Sequence, residues 1–65
     1  MIYYITGGLD PWFLTRARTL RGAMLIAART YHLAHEGIIK IAVVRHGAHE
    51  TIATRYGYRR WIVER

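Results

Sequence analysis

The chain has 65 residues and a mass of 7.6 kDa, with nine Arg and one Lys against one Asp and three Glu, a formal charge of +6. A domain of this size buries only about 60% of its unfolded surface, which leaves no room for a nucleotide-binding fold, a barrel or the converging loops of most enzymes. Cysteine and serine are absent, so disulfides, thiolate metal sites and Ser or Cys nucleophiles are excluded.

Hydrophobic residues make up 52% of the chain, enough for residues 1–65 to fold by packing alone as a single domain, either monomeric or as a homodimer. The longest apolar run, Ala23 to Ala28, is six residues, against the roughly 20 a membrane helix needs, so no membrane anchor is expected. Met1-Ile2-Tyr3-Tyr4 has no basic segment leading into an apolar one, so a secretory signal is not expected and a cytoplasmic location is the default.

Met1 to Thr6 is rich in aromatic and β-branched residues and runs into Gly7-Gly8, as a short strand ending in a turn does. The stretch Asp10 to Arg18 admits two readings. As a strand it alternates Trp12, Leu14 and Arg16 against Phe13, Thr15 and Ala17, and Thr19 becomes a helix N-cap. As a helix it starts at Asp10-Pro11 and extends the downstream pattern backwards. The strand is preferred, because it gives strand one a hairpin partner and a helix of about 25 residues is long for so small a domain.

From Leu20 to His35, the residues Leu20, Ala23, Met24, Ala27 and Tyr31 recur at the three- and four-residue steps of one helical face. The other side carries Arg21, Arg29, His32 and Glu36, and Gly37 supplies a stop. Ile38 to Arg45 is the strongest strand, His46 to His49 reads as its turn, and Thr51 to Tyr56, a turn at Gly57 and Tyr58 to Glu64 complete a hairpin. The expected fold is α+β, in the order β-β-α-β-β-β, with one helix laid across one face of an antiparallel sheet. Tyr3 and Tyr4 then point to opposite faces, as do Trp12 and Phe13. Large apolar groups are therefore left on the face the helix does not cover, where a partner or second copy would bury them.

Two copies of HxxHE, His32 to Glu36 and His46 to Glu50, are the sharpest local coincidence. The i, i+3 spacing lacks the i, i+4 geometry of zincins and the Glu between the histidines, so solvated caps and turns are preferred and no metal or cofactor is expected. The acids Asp10, Glu36, Glu50 and Glu64 are scattered over segment boundaries, and Gly7-Gly8 is not followed by the Lys-Ser/Thr of a phosphate loop. A non-enzyme is expected.

The arginines are the more informative signal, because guanidinium makes planar paired contacts to phosphate or carboxylate. Arg55-Tyr56-Gly57-Tyr58-Arg59-Arg60-Trp61 interleaves cations and rings on the C-terminal hairpin, as stacking combined with phosphate contact requires. Arg55, Tyr56, Tyr58, Arg59 and Arg60 are the partner-binding candidates, with Arg21 and Arg29 on the helix as a second patch. Trp61 is expected to be structural.

The helix frame Thr19-Leu20-x-x-Ala23-x-x-Ile26-Ala27, Gly37 before a long strand, and Gly57-Tyr58-Arg59-Arg60-Trp61 followed by Glu64 together resemble small phage-encoded proteins of the type I anti-CRISPR families. The resemblance implies a stoichiometric inhibitor that binds a CRISPR surveillance complex in the host cytoplasm and blocks engagement of target DNA. At +6 it would not act by imitating phosphate, and would dock on acidic or mixed protein surface or contact nucleic acid directly. The alternative is a small basic regulator that binds DNA or RNA through the C-terminal hairpin.

Overall fold

The computed structural model describes residues 1–7, 11–31, 37–57 and 59–64. Five strands and one helix follow in the order β1 (Ile2–Gly7), β2 (Phe13–Arg16), α1 (Leu20–Thr30), β3 (Ile38–Arg45), β4 (Ala48–Tyr56) and β5 (Ile62–Val63). All strand pairs are antiparallel in one sheet with spatial order β2-β1-β3-β4-β5. The protein is thus α+β, an antiparallel sheet with one helix. The two readings of residues 12–18 resolve in favour of the strand: Phe13–Arg16 pairs with β1, Ile2 facing Arg16 and Ile5 facing Phe13.

Thr19 caps the helix as its chemistry dictates: the residue is extended, and its hydroxyl accepts from the Gly22 backbone N–H at 3.2 Å. The helix is shorter than its periodic pattern suggests. Its C-cap is Tyr31, whose N–H donates to the Ala27 carbonyl, and the expected extension through 32–35 lies outside the described residues. The first HxxHE copy, which ends at Glu36, residues 8–10, where a turn is expected from Gly8, and Tyr58 also lie outside them.

Two boundaries differ from the sequence expectation. The turn after β3 is only His46-Gly47, with both φ angles positive (52° and 78°), so Ala48 and His49 belong to β4 rather than to the turn. Two left-handed residues in succession make the tight hairpin turn whose twist matches that of the flanking strands. The last strand, expected over Tyr58 to Glu64, is reduced to Ile62–Val63, although the Glu64 N–H still reaches the Ile52 carbonyl at 2.8 Å.

The core lies between α1 and one face of the sheet. Ala23 and Ala27, one turn apart and fully buried, let the helix backbone sit close over Tyr3, Ile5, Ile39, Ile41, Val43 and Ala53. Phe13, Leu20, Met24, Tyr31 and Trp61 seal the margins. Removing Ile5 or Ile41, the largest side chains that are fully buried, would cost about 2–5 kcal/mol each as Ala. Among the described residues no helix is long and apolar enough to cross a membrane.

Gly7 is fixed by close approach. A Cβ there would lie 2.5 Å from the Tyr31 ring, and Tyr31 in turn packs 6.2 Å from the Phe13 ring. Gly7→Ala is expected to displace Tyr31 from the helix C-cap and lower the thermal midpoint by roughly 5–15 °C, read by circular dichroism. A midpoint at or above that of the wild type would show that Tyr31 is not wedged there.

Candidate docking surface

Register decides which side chains share a face. Ile5 faces both Phe13 and Ile41, and Ile41 faces Ala53; this row lies under the helix. The alternate residues form the open face: Ile2, Tyr4 and Thr6 from β1, Leu14 and Arg16 from β2, Ile38, Lys40, Ala42 and Val44 from β3, with Trp12 one step before β2. On β4 the alternation is reset, because Ile41 faces Ala53 but Ala42 faces Thr51, leaving Ile52 as the extra residue of a β-bulge. The bulge turns Thr51 and His49 onto the open face and sends Glu50 to the other, where it is bonded to Arg45 at 3.1 Å.

His49 thereby meets two rings that reach it over the same face from β1 and from the residue before β2. Its imidazole lies 4.6 Å from Tyr4 in an edge-on contact and 5.0 Å from Trp12 in a stacked one. Ala42 stands between β1 and β4 at this level, fully buried and small enough for Tyr4 to reach across β3. Lys40 projects, exposed, between the buried Thr6 and Thr54 on the central strand. At the β1–β2 end, Arg16 and Arg18 line a cleft of about 330 Å³ with Met1, Ile2 and Ala17. Among the described residues, six of the nine exposed large hydrophobic ones are on this face: Ile2, Leu14, Ile38, Val44, Tyr56 and Ile62. Leu14, Val44 and Tyr56 are each about half exposed (51%, 49% and 48%).

The residues singled out from sequence fall in three places. Arg55 is half-buried on the helix-covered side, its guanidinium 5.9 Å from the Trp61 ring and its Nε donating to the Gly57 carbonyl at 2.8 Å. Tyr56, the next residue, is on the open face opposite Ile38. Arg59 and Arg60 are exposed beyond the Gly57 turn, with the Arg59 N–H donating to the Tyr56 carbonyl. Arg21 and Arg29 are exposed on the outer stripe of α1, with exposed Leu25 between them. The structure therefore brings Arg55 to Trp61 but separates it from Tyr56, and places the helix pair on the opposite side of the molecule from the open face. Sequence reasoning missed the Tyr4, Trp12 and His49 cluster as a unit, because strict alternation groups His49 with Thr51, Ala53 and Arg55.

Among the described residues, no three His, Asp or Glu side chains are gathered as a metal site would need. The surface offers cations, ring faces and aliphatic groups, and within the described strands the open face carries no acid, since Glu50 lies on the other side. Glu64 follows β5, at the sheet edge farthest from β2. Comparison with protein-family models, curated proteins and solved structures finds no match to this chain.

The Arg55 contacts carry an expected outcome. Arg55→Ala removes both the ring contact and the bond that closes the Gly57 turn, and is expected to cost about 1–2 kcal/mol. Arg59→Ala and Arg60→Ala should each stay within about 0.5 kcal/mol of the wild type. Urea denaturation checks this; equal midpoints for all three variants would show that Arg55 has no structural role.

Proposed function

We propose that this chain is a non-catalytic basic module that binds nucleic acid on the open face of its sheet. The observation that carries the reading is the joining of cations to rings on one face: Lys40 and Arg16, with Arg18 beside Arg16 in the cleft, stand around Tyr4 and Trp12, while Glu50 is bonded to Arg45 on the other face. Phosphate contact by guanidinium and ammonium supplies affinity, and the rings supply contact area to bases. The overall charge of +6 favours encounter with a polyanion at low salt.

One observation favours a second reading. Ile2, Leu14, Ile38, Val44 and Ile62 expose aliphatic surface on the same face, and a phosphate backbone has no use for it. Such a surface suits a protein partner, with Arg and aromatic side chains as anchors. In this form the chain is the anti-CRISPR-like inhibitor its sequence resembles, docked on a type I surveillance complex.

Salt separates the two readings. With Lys40 and Arg16 on the face and Arg18 at its edge, log affinity for an oligonucleotide should fall against log salt with a slope of about −2 to −3, and Arg16→Gln with Arg18→Gln should reduce its magnitude by about two thirds. Fluorescence anisotropy measures both. Absence of oligonucleotide binding at low salt, with capture of a purified effector complex, would overturn the nucleic-acid reading in favour of the inhibitor.

A further inference from the structure

We infer that the strand taken by the open face is single-stranded, with unpaired bases stacking on the Tyr4, His49 and Trp12 cluster and phosphates held by Lys40 and the Arg16–Arg18 cleft. This rests on the nucleic-acid reading above and specifies its ligand.

Shape is the first reason. Five strands at about 4.8 Å spacing make a face about 19 Å across, whereas the major groove of duplex DNA is about 12 Å wide and admits a helix or a two-stranded ribbon. The face therefore meets a duplex only at its outer phosphates, where the three rings would find no partner. A single strand can splay its bases onto such a surface, and aromatic stacking is the interaction that sequence-tolerant single-strand sites share.

The placement of the charges is the second reason. Lys40 lies on the row of Thr6 and Thr54, and Arg16 on the row of Ile2, two strands over and four residues along the sheet. From strand geometry the two are about 16 Å apart, with Tyr4 and Ala42 on the row between them. Cations at both ends of an aromatic track suit a backbone that runs diagonally over the face with its bases turned down. On the one described helix, α1, Leu25 interrupts Arg21 and Arg29 on the outer stripe, 59% exposed where a groove-reading helix would present a polar group.

The two tryptophans provide the test, since Trp12 is on the open face and Trp61 packs on the helix-covered side. Trp61→Phe leaves Trp12 as the reporter and Trp12→Phe leaves Trp61. Titration with single-stranded oligo(dT) or oligo(U) of about 15 nucleotides is expected to quench Trp12 emission to saturation and leave Trp61 emission unchanged. If Trp61→Phe does not fold, the difference between the wild type and Trp12→Phe gives the same reading. Trp12→Ala is expected to weaken single-strand binding roughly 5- to 100-fold with an unchanged far-ultraviolet spectrum, and duplex of equal length should bind at least about tenfold more weakly than single strand. Duplex binding as tight as single strand with no change in Trp12 emission would overturn the inference and leave the nucleic-acid reading standing. Failure of every oligonucleotide to bind at low salt would overturn both.

Discussion

The rest of the structure depends on an imbalance of coverage: one helix of 11 residues is laid against a sheet of five strands. The helix can seat closely because the residues it presents are alanines, and Ala23 and Ala27 bring its backbone down onto Ile5 and Ile41. That contact builds the core. Among the described residues no second helix or strand layer is laid on the other face of the sheet. In an antiparallel sheet such a face is ordinarily polar. Here it carries Tyr4, Trp12, Tyr56 and five exposed aliphatic residues instead, and that departure from the ordinary pattern is the reason to regard it as the working surface.

The β-bulge at Ile52 links fold to surface. By inserting one residue opposite the Ile41–Ala42 step it reverses the facing of residues 48–51, turning His49 onto the open face and Glu50 away from it. A single irregularity thus assembles the ring cluster and removes the acid that would otherwise stand beside it. Arg45 then bonds Glu50 on the far side; the contact is exposed, and its value lies in where it holds the carboxylate more than in the fraction of a kcal/mol it contributes.

Much of this fold was legible in the sequence because its signals are local. The Thr19 cap, the three- and four-residue spacing of Leu20, Ala23, Met24 and Ala27, and the β-branched run from Ile38 to Arg45 each act within a few residues. Hairpin logic also resolved Phe13–Arg16 as a strand against a competing helix start at Asp10-Pro11. The limits of β4 were less legible: His46-Gly47 makes a two-residue turn, so Ala48 and His49 extend the strand, and no residue type at 48–49 announces this. The candidate site was the least legible. Arg55, Tyr56 and Arg60 are neighbours in sequence, but alternation divides Arg55 from Tyr56 and Arg55 is occupied with Trp61 and the Gly57 turn. Conversely, Tyr4, Trp12 and His49 are distant in sequence, and only the sheet order together with the bulge makes them neighbours.

The central claim is that the uncovered face of the sheet is where a partner binds. Amide chemical-shift mapping during titration with a single-stranded oligonucleotide tests it most directly. The account predicts shifts confined to the open face and its edge, at Tyr4, Thr6, Trp12, Leu14, Arg16, Arg18, Lys40, Ala42, Val44, His49 and Thr51, with Arg21, Leu25 and Arg29 unmoved. Shifts concentrated on the outer stripe of α1, with the open face silent, would contradict it.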